Sequence, residues 1–171
     1  MSISVEVYYP FLAPYVKNLT YDAVGYGTLV LLALFGMVLV LGIGMFRVLV
    51  GIIKGLPVSY WRPGKADEAG FYRRLMRCHA NTFENIGFYL AVILAALHFQ
   101  EAIPLELFKI LCATVLIGRV GQTFVYLVGE STLFVLVRFA FFALQKFSVS
   151  FMAYRVLLHI FSGGSGCVLP H

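Results

Sequence analysis

The sequence predicts an all-α protein of one kind, an integral membrane four-helix bundle, on three observations. Charged residues make up only 12% of the 171 and hydrophobic residues 61%, whereas a soluble domain carries roughly 25% charge. The apolar excess is gathered into four long stretches, each close to the roughly 20 residues that cross a bilayer core. The few polar groups inside those stretches collect toward one end of the prospective bundle. A continuous apolar run in lipid must be helical, because nothing there satisfies a free backbone group.

The first span is predicted over residues 23–50, since no charge falls between Asp22 and Arg47. Glu6, Lys17 and Asp22 precede it. That leaves neither the basic start nor the short apolar core of a cleavable signal, so it reads as an uncleaved anchor. The second span, 77–99, opens with the polar run "RCHANTFEN" and ends apolar. The third, 109–129, is interrupted by Arg119, and the fourth, 132–160, by Arg138, Lys146 and Arg155. Residues 1–161 form one membrane domain on this reading, and 162–171, "SGGSGCVLPH", read as a flexible tail.

Loop charge sets the expected orientation. The connection from the first span to the second holds Lys54, Arg62, Lys65, Arg73, Arg74 and Arg77 against Asp67 and Glu68. The next holds Glu101 and Glu106 against Lys109. The positive-inside rule then puts the basic loop in the cytoplasm and both chain ends across the membrane. The same bias accounts for the net charge of +5, so no nucleic-acid partner is expected. Cys78, Cys112 and Cys167 form no disulfide framework. His79, His98 and His159 lack mutual ligand spacing, so no metal is expected.

In this orientation the unusual polar residues share one leaflet. Arg47 lies late in the first helix, and Arg77, Asn81 and Glu84 lie early in the second. Arg119, Gln122 and Tyr126 lie late in the third, and Arg138 early in the fourth. Positions 77, 81 and 84 fall on one helix face, as do 119, 122 and 126. Charge in a bilayer is costly and normally points, paired, into a bundle or wet cavity. The expectation is a polar cavity with Glu84 paired to Arg119. Gly118 and Gly121 read as close-packing positions. Lys146, about 12 Å deeper than Arg138 at 1.5 Å per residue, has no role in this reading beyond facing a wet cavity or a partner charge.

The runs "RLMRCHANTFENIGFYLAVILAA", "GRVGQTFVYLVG" and "RFAFFALQ" resemble the MAPEG family, the membrane-associated proteins of eicosanoid and glutathione metabolism, over about residues 40–160. The resemblance implies a homotrimer of four-helix protomers with glutathione bound between neighbours near the cytoplasmic side. Carried over by position, Arg47, Arg77, Asn81, Glu84, Gln122, Tyr126 and Arg138 bind glutathione. The resemblance likewise implies that Arg138 is the catalytic residue that stabilises the thiolate and that Arg119 is a structural arginine. Phe139 and Phe142 depart from the prostaglandin synthase branch, which has a serine and a tyrosine there, and Ala80 departs from an arginine of that branch.

The resemblance therefore implies a glutathione-dependent transferase or peroxidase, with possible isomerase chemistry, that attacks lipophilic electrophiles delivered by the membrane. Its setting is the endoplasmic reticulum in a eukaryote or the inner membrane in a bacterium. Two other functions stay open. One is a non-catalytic member that binds a lipid and presents a fatty acid to a partner enzyme, which has no need of a carboxylate-binding set. The other is a small four-helix transporter, which would need an acid in the first span, where none occurs.

Overall fold

Thr20 starts the first helix by accepting the Ala23 N–H on its Oγ1 at 3.3 Å, which satisfies one of the amide donors that a helix start leaves open. The structure, a computed structural model, describes residues 10–11, 18–53, 55, 71–129 and 131–163. Four long helices account for nearly all of them: α1 Tyr21–Ile53, α2 Phe71–His98, α3 Leu105–Val128 and α4 Thr132–Phe161. A single 3₁₀ turn, Gln100–Ala102, links α2 to α3. All four helices are long and apolar enough to span a membrane, and the chain is an integral, multi-pass membrane protein. The apolar part of α2 is Arg77–His98; the helix itself begins six residues earlier, carrying Arg73 and Arg74 on a basic extension.

Two helices end on glycines in the left-handed region, Gly55 (φ 60°) after α1 and Gly163 (φ 66°) after α4. Their N–H groups close the last turns onto Ile52 O at 3.1 Å and Ile160 O at 3.2 Å. A side chain at either position would be strained. Gly163 thus belongs to the end of α4. The rest of the expected tail, 164–171 with Cys167, lies outside the described residues, as do Lys54, most of the basic loop and the side chain of Arg47.

Lipid offers no hydrophobic gain for bringing helices together, so contact depends on close fit and interhelical hydrogen bonds. Small residues provide the fit. A Cβ on Gly25 would overlap Leu97, and one on Gly36 would lie 2.7 Å from Ile86 Cδ1. As α1 advances, its partner in α2 therefore recedes, and the two helices are antiparallel. Gly118 against Gln145 and Gly129 against Phe134 show the same for α3 and α4. The helices α2 and α3 each pack on the other three, whereas α1 and α4 occupy opposite corners.

The core gathers Leu32 of α1, Tyr89 and Ile93 of α2, Phe108 and Val115 of α3, and Val149 and Met152 of α4, each at most 1% exposed. At one end of the bundle Tyr21 stacks on Phe108 at 4.2 Å. Nearby, Gln100 Nε2 donates to Asp22 Oδ1 at 2.8 Å, and Arg155 Nε donates to the Ala102 carbonyl at 3.0 Å. These contacts fasten the end that holds the α2–α3 turn. The residues singled out from the sequence lie at the other end.

Candidate functional site

The site is organised around Arg119, which is 3% exposed and sits nine residues before the end of α3. A guanidinium at that depth must find acceptors inside the bundle. It finds two amides. Arg119 Nη1 donates to Gln122 Oε1 on its own helix at 3.1 Å and to Asn81 Oδ1 of α2 at 3.3 Å. Gln145 of α4, fully buried, adds a third helix by donating its Nε2 to Gln122 Oε1 at 3.1 Å and to the Phe141 carbonyl at 3.0 Å. Asn85 donates to the Asn81 carbonyl at 2.6 Å. One buried polar layer therefore ties α2, α3 and α4 together.

The packing glycines make this layer possible. A Cβ on Gly118 would stand 2.6 Å from Gln145 Cγ and 3.2 Å from the Phe141 carbonyl, and one on Gly121 would stand 2.6 Å from the Phe141 ring. The pair reads as a close-packing device, as expected, and it delivers Gln145 to Gln122.

Outside the layer lies a cavity of about 350 Å³ lined by Arg77, Asn81, Gln122, Tyr126, Val135, Arg138, Phe139 and Phe142. It brings together five residues nominated from the sequence, drawn from three helices. Arg138 stands over the Tyr126 ring with its guanidinium carbon 4.6 Å from the centroid, a cation–π arrangement that holds the charge at the mouth. Val135, Phe139 and Phe142 form an apolar wall on α4.

The polar side of the lining is dominated by donors. With their oxygens turned to Arg119, Asn81 and Gln122 keep their side-chain NH₂ groups for other acceptors. Arg77 and Arg138 only donate. The Tyr126 hydroxyl and the second lone pair of Asn81 Oδ1 can also accept. Among the described residues no carboxylate lines the cavity. Such a surface suits an anionic ligand, because guanidinium groups bind carboxylates bidentately and amides complete the shell.

One nominated residue, Glu84, is not brought in. The expected ion pair between Glu84 and Arg119 is not formed within the protomer: Arg119 takes Asn81 and Gln122, and Glu84 is exposed. The reason is angular. At about 100° per residue, Glu84 does share a face with Arg77 and Asn81. That face, however, lies beside the buried stripe through Cys78, Thr82, Asn85 and Tyr89, and only Asn81 reaches the stripe's edge. The side chain of Arg47 is outside the described residues.

Gln145 is not among the residues nominated from the sequence. Its signal was present: it lies seven residues after Arg138, on nearly the same face of α4, as a lone amide in an apolar run. Lys146 acquires an environment. Its ammonium lies over three rings, 5.2 Å from Tyr89, 5.4 Å from Phe88 and 5.5 Å from Phe142. The aromatic faces partly offset the cost of a cation near the middle of a spanning helix. A second cavity of about 720 Å³, apolar apart from Arg119, lies between α1 and α3 with Phe11 and Phe141 at its edges.

Fold and site together define a multi-pass membrane protein whose second, third and fourth helices converge on a cationic pocket. The family comparison gives the class a name: the MAPEG family model matches residues 26–158, and the chain belongs to that family. Membership places it among proteins of eicosanoid and glutathione metabolism, a group with both catalytic and non-catalytic members. Searches of curated proteins and of solved structures returned no match.

Proposed function

We propose that the protein is a glutathione-dependent transferase or peroxidase that activates the glutathione thiol for attack on lipophilic electrophiles. The observation that carries this reading is the donor-lined cavity, in which Arg77, Asn81, Gln122, Tyr126 and Arg138 meet from three helices without a carboxylate among them. Its volume is at the small end of the roughly 300–1,000 Å³ of ligand pockets. Glutathione has two carboxylates and a thiol to set against these donors. Its ammonium needs an acceptor, and Glu84, on the same α2 face as Arg77 and Asn81, supplies one.

The chemistry follows from charge. A free thiol has a pKa near 8.5 and is mostly protonated at neutral pH. The thiolate is the nucleophile. In this reading Arg138 stabilises the thiolate, and Tyr126 holds the guanidinium in place. Arg77, Asn81 and Gln122 bind the peptide, Arg47 adds a further cation from the end of α1, and Arg119 stays structural. The electrophile enters from lipid along Val135, Phe139 and Phe142.

The working unit is a homotrimer with the pocket at the cytoplasmic side. Arg77 and Glu84 are exposed in the isolated protomer, which suits a pocket completed by a neighbouring copy. A second reading, a non-catalytic member that presents a fatty acid to a partner enzyme, is favoured by the large apolar cavity between α1 and α3. Calorimetric titration of glutathione into the purified protein separates the two. Saturable heat supports the first reading, and no heat, together with saturable fatty-acid binding, replaces it with the second.

A further inference from the structure

We infer that Arg119 is the positioning residue that makes the cavity an anion receptor, by fixing the direction of the Asn81 and Gln122 amides. The ligand's identity rests on the glutathione reading above, but the polarity of the site does not.

A carboxamide is nearly the same shape with its oxygen and nitrogen exchanged, so its direction is set by what it meets. Arg119 cannot accept a hydrogen bond. Placed 3.1 Å from Gln122 and 3.3 Å from Asn81, it admits only their oxygens. Gln145 repeats the instruction from the other side. Its nitrogen is committed to the Phe141 carbonyl at 3.0 Å, so it too presents N–H to Gln122 at 3.1 Å. Reversing Gln122 would set donors against donors at a site 4% exposed, where unmet polar groups are expensive.

The consequence appears on the far side of each amide. Both residues line the cavity, and with their oxygens turned to Arg119 the NH₂ groups are what each amide has left to offer it. The charge of Arg119 thus acts there at second hand, through two neutral side chains. The pocket selects a group that accepts on every side, a carboxylate or a thiolate, and discriminates against esters, amides and thioethers of the same size. Gln122 and Asn81 are therefore specificity-determining residues.

Gln122→Glu tests the inference. The new carboxylate still accepts from Arg119 and Gln145, so the internal contacts survive while the cavity loses a donor and gains a negative charge. The expected result is a melting temperature in detergent equal to or above wild type, with glutathione affinity reduced about tenfold or more. Gln122→Leu, which removes the acceptor, is expected to melt lower. Unchanged affinity in Gln122→Glu, or a melting temperature as low as that of Gln122→Leu, overturns the inference.

A second measurement on the wild-type protein needs neither variant to bind glutathione. Sulfate is titrated into ¹⁵N-glutamine-labelled protein while the side-chain N–H signals are followed by NMR. A saturable shift of the Gln122 signals is expected, and its absence overturns the anion receptor. A sulfate shift without any glutathione binding keeps the receptor and removes the proposed function.

Discussion

Arg119 and Arg138 carry the same charge on neighbouring helices and do different work. Arg119 is buried and spends its contact on two amides; Arg138 is half-buried and rests on Tyr126 at the cavity mouth. Replacing Arg138 with Ala is therefore expected to leave folding and most glutathione affinity intact and to remove the thiolate. The thiol titration of the complex should move up toward the free value near 8.5, which a pH series of the bound ligand's absorbance reads. Glu84 gives the complementary case. Exposed and outside the polar layer, it should tolerate Glu84→Ala with no change in melting temperature, while glutathione affinity falls because the ammonium loses its acceptor. A large drop in stability would show that Glu84 has a structural partner in the assembly.

At the scale of elements, the polar layer depends on how closely α3 and α4 approach. The Cβ of Gly121→Val would collide with the Phe141 ring, and overpacking of this kind typically costs about 1–3 kcal/mol. Thermal unfolding should register it, and glutathione binding should fall with it because Gln145 shifts. Gly42→Ala is the control: nothing described lies within 4 Å of its Cβ, so no loss is expected.

The sequence made the elements legible because composition and period both report on lipid. Long apolar runs announced the four helices, and spacing put Arg77 beside Asn81 and Gln122 beside Tyr126. Periodicity says which residues share a face but not which face is turned inward. The Glu84–Arg119 pair failed for that reason. Gln145 escaped notice for a related one: an uncharged amide leaves little mark on a charge or hydropathy pattern, although its partners make it central.

The whole molecule is a bundle with two differently finished ends. One end is closed by the Tyr21–Phe108 stack and the Gln100–Asp22 bond, and the other opens into a cationic pocket. Charge without counter-charge is the molecule's main unsettled quantity: Arg77, Arg138 and Lys146 have no carboxylate partner among the described residues. A bound ligand and a neighbouring copy are two sources of counter-charge. Light scattering corrected for detergent is expected to give the mass of three chains. A monomer that binds glutathione at full affinity would contradict a pocket completed by a neighbour.

The central claim is that this pocket turns glutathione into a thiolate. The most direct measurement mixes wild-type protein with glutathione in a stopped-flow instrument near neutral pH and follows the ultraviolet absorbance of the thiolate. The expected result is a band that saturates with glutathione and is missing from Arg138→Ala. Saturable glutathione binding without that band, or an identical band in Arg138→Ala, would contradict it.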